Sequence, residues 1–151
     1  MAFLIGEYEC TLDVKQRIRV PAGLLSQLTG DDAGKFVITR GIDPCLYLYP
    51  QSEFYTEMDN VSKIQENSEE DRDYKTQFYS GTSVLNIDSS DRILIPKLHL
   101  LHAGITKDII MVCMKNKVAV WSMERFSAKF MKMDATQYQQ LSEKVRSKYG
   151  I

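Results

Sequence analysis

Apolar and polar positions alternate through "YECTLD" and again through "RIRVP", with Asp13 to Gln16 between them. A period of two is that of half-buried strands, so the pattern predicts two strands joined by a short polar loop. Pro21 closes the second strand because it cannot donate to a ladder. "AGLLSQLTG" then places Leu24, Leu25 and Leu28 at helical spacing ahead of Gly30, which predicts a short helix with Gly30 at C′. "KFVITRG" and "CLYLYP" follow as strands flanking a turn at "GIDP". The same succession returns later in the chain. A strand runs to Ile87, another covers 92–95, a short helix covers 97–103, and "DIIMVCM" and "KVAVWS" flank "KNK".

Longer periods follow each set of strands. Phe54, Met58, Val61 and Ile64 recur every three or four residues, the stripe of an amphipathic helix. Ser68 with Asp71 resembles a capping box opening a second helix, with Tyr74 and Phe78 on one face and Gly81 closing it. Ser122 can cap a third helix carrying Phe126, Phe130 and Met133. Asp134 with Gln137 can open a fourth, lined by Tyr138, Leu141, Val145 and Tyr149. Such stripes belong in a core or a subunit contact more often than in a cofactor site.

The recurrence is a true internal repeat. Shifting the chain by 75 places "LDVKQRIRVP" on "IDSSDRILIP", with Asp13 on Asp88, Arg17 on Arg92 and Pro21 on Pro96. Further along the shift becomes 72, and "LYLYPQSEF" falls on "VAVWSMERF". The boundaries expected are a first repeat at 6–54, a helical acidic insert at 55–80, a second repeat at 81–126 and C-terminal helices at 127–151. A unit of about 48 residues buries little surface alone. The two copies are therefore expected to interdigitate into one pseudo-symmetric, β-rich α+β barrel.

At 151 residues, 44% hydrophobic and 26% charged, the composition is that of a soluble globular chain. "MAFLIGEYEC" has no basic n-region and meets charge at Glu7, unlike a signal peptide, and no run approaches the ~18 apolar residues of a membrane span. Cys10, Cys45 and Cys113 are odd in number and lack metal-site spacing, so buried thiols in a reducing cytoplasm are expected. A net charge of −1 conceals segregation. Between Glu53 and Asp73 eight acids meet only Lys63 and Arg72, whereas from Lys115 onward eight bases meet three acids. Such asymmetry either orients a molecule on nucleic acid or keeps two solvated faces soluble.

Nothing in the chain names a catalyst. His99 and His102 lie three apart without a neighbouring Cys or carboxylate to complete a metal site. No Gly-rich phosphate loop, GxSxG or HExxH occurs. Trp121 and Tyr49 occupy matching places and are expected to be core aromatics. The repeated Asp-x-x-x-Arg loop has two uses. As a brace, Asp13 and Asp88 accept from Arg17, from Arg92 and from loop amides. In the first copy Lys15, Arg17 and Arg19 also alternate along one side of a two-stranded ribbon, which can enter a DNA major groove. The second loop offers Ser89, Ser90 and Asp91 before Arg92, so the first should contribute more to any DNA contact.

The paired loops, "RILIP", "FVITRGIDPCLYLYP" followed by "SEF", and the second copy ending "VWSMERF" together resemble the MraZ family, from about Gly6 to Phe130. The resemblance implies two AbrB-like half-barrels joined as a swapped-hairpin, double-split β-barrel with flanking helices. It implies a ring-shaped homo-oligomer in the cytoplasm and nucleoid, without cofactor or small-molecule substrate. The implied partner is double-stranded DNA at promoter repeats upstream of the cell-division and cell-wall gene cluster, usually with repression. Candidate DNA-binding residues are Asp13, Lys15, Arg17 and Arg19 in the first copy, and Asp88 and Arg92 in the second. Family loops commonly read Asp-x-Lys-Gly-Arg, whereas Gln16 and Asp91 stand at the glycine position here, which predicts a changed loop shape. The alternative is a protein-interaction or scaffold module in which the loops brace subunits.

Overall fold

The computed structural model describes residues 3–151, so the first two residues of "MAFLIGEYEC" lie outside the described part. In chain order the elements are β1 (Glu7–Thr11), β2 (Arg17–Arg19), α1 (Ala22–Leu25), β3 (Lys35–Arg40), β4 (Leu46–Pro50), α2 (Gln51–Ser62) and α3 (Glu69–Ser80). The second half follows with β5 (Ser83–Asn86), β6 (Arg92–Leu94), α4 (Lys97–Ala103), β7 (Asp108–Cys113), β8 (Val118–Ser122), α5 (Met123–Phe130) and α6 (Ala135–Lys148). The fold is mixed α+β and sheet-rich.

Six strands form one antiparallel sheet in the order β1-β7-β8-β4-β3-β5, and β2 and β6 form a separate two-stranded ribbon. The outer strands are exchanged between the repeats. β1 of the first copy pairs with β7 of the second, and β5 of the second pairs with β3 of the first. Two residue pairs mark a pseudo-two-fold axis, because each joins a residue to its own equivalent: Ile18 to Ile93 in the ribbon, and Tyr47 to Ala119 where β4 meets β8.

The ribbon differs from the sequence expectation. β2 is not the second arm of a hairpin with β1, to which it is joined by only the single bridge Leu12–Ile18. It pairs along its length with β6 of the other copy, because β1 leaves to complete the sheet against β7.

Alternation explains the core. Ile18, Phe36, Ile38, Leu46, Leu48, Ile93, Ile109 and Met111 point inward and are almost wholly buried. Burying one such side chain is worth about 1.5–3 kcal/mol. The opposite face of β4 and β8 carries Tyr47, Tyr49, Ala119 and Trp121, over which the helices pack. Tyr49 and Trp121 are buried, as expected of core aromatics. α2 lies against β3 and β4, and α5 against β7 and β8.

Helix ends follow their capping chemistry. Ser68 and Ser122 each accept from the amide three residues on, and Asp134 with Gln137 forms a reciprocal capping box. Gly104 ends α4 at φ 63°. α1 is shorter than "AGLLSQLTG" suggests. Ser26 Oγ donates back to the Gly23 carbonyl, and the Gln27 side-chain amide both donates to and accepts from the backbone of Ile5. One turn remains helical, and Gly30 opens a 3-10 turn, Gly30–Asp32, instead of capping α1. Among the described residues no helix is long and apolar enough to cross a membrane.

Candidate nucleic-acid interface

Each Asp-x-x-x-Arg loop is a closed polar turn, and the two are near copies. Asp13 Oδ1 accepts from the amides of Lys15 (2.8 Å) and Arg17 (2.9 Å), while Oδ2 accepts from Arg17 Nε at 3.1 Å. Asp88 Oδ1 accepts from the amides of Ser90 (2.8 Å) and Arg92 (2.9 Å), and Oδ2 from Arg92 Nε at 3.1 Å. These bonds, first of all the amides of Arg17 and Arg92, hold both carboxyls below the usual aspartate range. Main-chain bonds close each turn at its base, between Asp13 and Arg17 and between Asp88 and Arg92.

The glycine position keeps its left-handed backbone without glycine. Gln16 sits at φ 64° and Asp91 at φ 62°. Their carbonyls have a defined use: Gln16 accepts from the Ile95 amide at 3.0 Å, and Asp91 from the Val20 amide at 2.7 Å. Each turn thus fastens the strand that leaves the other, and the loops lock together about the pseudo-two-fold axis.

With Ile18 and Ile93 turned inward, period two turns their neighbours outward. The solvent face of the ribbon therefore presents Arg17, Arg19, Arg92 and Leu94. Arg19 lies directly opposite Arg92, and Arg17 opposite Leu94. Like charges placed opposite one another destabilise a ribbon. Asp88 offsets the charge of Arg92 through its ion pair, as Asp13 offsets that of Arg17, whereas Arg19 makes no ion pair among the described residues. Lys15 stands exposed in the turn before Arg17, and Val14 beside it is fully exposed.

All six sequence candidates fall in the two loops and the ribbon. The ribbon unites Arg17, Arg19 and Arg92 on one surface; Lys15 is exposed in the adjoining turn, and Asp13 and Asp88 hold Arg17 and Arg92 by hydrogen bonds. In the second loop Ser89, Ser90 and Asp91 are exposed and supply no base. Sequence reasoning missed the Arg19–Arg92 juxtaposition and the surface placement of Leu94. The signal for both was the repeat itself, since equivalent strands of two copies can pair across a two-fold axis.

The remaining titratable groups serve structure. His99 is buried, with Nε2 donating to the Gly81 carbonyl at 2.8 Å, and His102 reaches the Gly41 carbonyl at 3.0 Å. Both therefore pin α4 to neighbouring loops. Burial lowers the His99 pKa and raises the Cys10 and Cys45 thiols to about 11, so neither thiol ionises near neutrality. Among the described residues no group of three or more His, Cys, Asp or Glu side chains is placed to hold a metal ion.

Residues 3–77 and 78–147 each match the family model described as "MraZ protein, putative antitoxin-like". A protein of Cytophaga hutchinsonii named "Transcriptional regulator MraZ" is 42% identical over 144 residues, covering 95% of this chain and 95% of its own length. Proteins of the same name from Clostridium beijerinckii and Clostridium tetani are 39% and 32% identical, covering 82% and 97% of this chain and 84% and 99% of their own lengths. With both repeats matched and the relatives aligned over most of their length, the chain belongs to the MraZ family.

Proposed function

We propose that the chain is a sequence-specific, double-stranded-DNA-binding transcriptional regulator acting through the β2–β6 ribbon and its loops. The observation that carries this is the solvent face of the ribbon, where Arg17, Arg19 and Arg92 stand together with Lys15 in the adjoining turn. The relatives named as transcriptional regulators supply the transcriptional context. A two-stranded ribbon fits the major groove, with Lys15 and Arg19 placed for phosphates and Arg17 for base edges. Asp13 and Asp88 act as positioning groups. The function needs no catalytic step and no cofactor.

The biological setting follows from the family resemblance. The target is a set of repeats upstream of the cell-division and cell-wall gene cluster, the chain is located in the cytoplasm and nucleoid, and the effect is repression by covering the promoter. One chain offers a single strongly basic loop, which makes a weak module. A ring-shaped homo-oligomer aligns several such loops on repeated sites and gains affinity through effective concentration. Replacing Arg17 by Ala is expected to abolish the gel shift of the protein's own upstream DNA while leaving size-exclusion elution unchanged. Binding that survives the substitution would remove the first loop from the interface and favour a scaffold in which the loops brace subunits.

A further inference from the structure

Leu94 interrupts the two-fold symmetry of the ribbon's outer face. The repeat shift of 75 residues sets it on Arg19, just as it sets Arg92 on Arg17. A symmetric face would present four arginines, whereas this one presents Arg17, Arg19 and Arg92 with a leucine in the fourth place. Leu94 is not a displaced core residue. Ile93 and Ile95 on either side of it point inward, at 0% and 1% exposed, while Leu94 is 57% exposed. Burial along β6 alternates as period two requires, so the register that buries its neighbours holds the leucine outside.

A single exposed leucine is ordinary on a protein surface. Its neighbours make this one informative. Leu94 lies directly across the ribbon from Arg17, with Arg92 two residues before it on the same face. Side chains paired across a ribbon stand about 5 Å apart at Cβ and reach the same stretch of any ligand. Asp13 Oδ2 accepts from Arg17 Nε at 3.1 Å, and among the described residues no hydrogen bond occupies the two terminal nitrogens of Arg17.

The major groove of DNA carries two kinds of signal that such a face matches. Guanine O6 and N7 accept from a guanidinium, and the C5-methyl of thymine projects from the base edge toward an apolar side chain. A protein cover fits less well. It would desolvate the guanidinium groups of Arg17, Arg19 and Arg92 together with Leu94, and the carboxylates of Asp13 and Asp88 are already engaged with Arg17 and Arg92. DNA supplies the missing negative charge from its phosphates and the apolar partner from its bases.

We infer that Leu94 is a specificity-determining residue that packs on the C5-methyl of a thymine in a base pair adjoining the one contacted by Arg17. Base pairs follow one another at about 3.4 Å, so a displacement of about 5 Å across the ribbon reaches a neighbouring pair. The two ends of the ribbon then read different features. Arg17 with Leu94 reads a base edge and a methyl, and Arg19 with Arg92 meets phosphate and acceptor groups. This inference rests on the ribbon as the DNA-binding surface and adds to it a residue that carries no charge.

The test removes the methyl and nothing else. In duplexes of the protein's own upstream DNA, thymines are replaced one at a time by deoxyuridine, which pairs with adenine in the same way but lacks the C5-methyl. Each duplex is titrated by fluorescence anisotropy against the full-length wild type, Leu94→Ala and Leu94→Arg. The wild type is expected to lose about fourfold in affinity at one thymine of a binding site, the worth of one buried methyl. Leu94→Ala should bind the unmodified duplex about fourfold more weakly and lose its dependence on that thymine. Leu94→Arg, which restores the two-fold face, should also lose that dependence while steepening the salt slope by about one. Both variants change an exposed side chain, so their urea unfolding midpoints should stay with the wild type. A wild type indifferent to every uracil overturns the role of Leu94 while the ribbon stands. So does a Leu94→Ala protein that loses as much at that thymine as the wild type, or a folded one that binds neither duplex. A wild type that does not bind the unmodified duplex overturns the DNA-binding reading and this inference together.

Discussion

Asp13 brings a negative charge to a surface that otherwise presents Lys15, Arg17 and Arg19. If charge alone governed DNA binding, removing it would tighten the complex. The turn geometry requires the opposite, because the carboxylate holds two loop amides and Arg17 Nε in place. Asp13→Ala is expected to weaken binding about tenfold, ~1.4 kcal/mol, in a fluorescence-anisotropy titration. Tighter binding would show that Asp13 does not position Arg17. Its pKa lies below the ordinary range, so the brace is intact at neutral pH and is lost only as pH falls through that lowered value.

Gln16 permits a second test at the residue scale. A non-glycine residue in the left-handed region costs about 1–2 kcal/mol, and glycine gives back about 0.5–1 kcal/mol through unfolded-state entropy. Gln16→Gly should therefore raise the unfolding free energy by about 0.5–1 kcal/mol in urea denaturation. Asp tolerates this conformation better, so Asp91→Gly should gain less. A destabilised Gln16→Gly protein would mean that the glutamine side chain contributes contacts beyond the turn. At these positions the turn takes a positive φ in both copies without glycine, and the side chains there carry backbone strain.

At the scale of elements, alternation and capping signals were legible because their causes are local. The 97–103 helix, the strands around "GIDP" and the capping box at Asp134 depend on nearby residues alone. α1 was overextended because Gln27 is held by the backbone of Ile5, 22 residues away, a bond that no local pattern announces. Alternation identifies β1 and β2 as strands joined by a short loop but does not choose their partners. The true partner of β2, β6, lies in the other repeat, and the pairing follows once the repeat is treated as a two-fold axis through Ile18 and Ile93. The stripe on α6 was legible as apolar, but only the structure shows that its own chain leaves it open.

For the whole molecule, exchange of β1 and β5 ties two repeats into one core, so neither half keeps its sheet without the other. The same axis separates three surfaces: a basic ribbon at one end, an acidic helix pair on one flank and a basic helix on the other. With a net charge of −1, the DNA binding proposed above draws on local charge and not on the total, and is assigned to the ribbon. Salt dependence measures that local contribution most directly. The affinity of the protein for its own upstream duplex should fall linearly on logarithmic axes as salt rises, with a slope of about −0.9 per phosphate neutralised. Lys15→Ala and Arg19→Ala should each make that slope shallower by about one. A slope unchanged by both substitutions, or a folded wild-type protein that does not bind the duplex at low salt, would contradict the assignment of the ribbon as the DNA-binding surface.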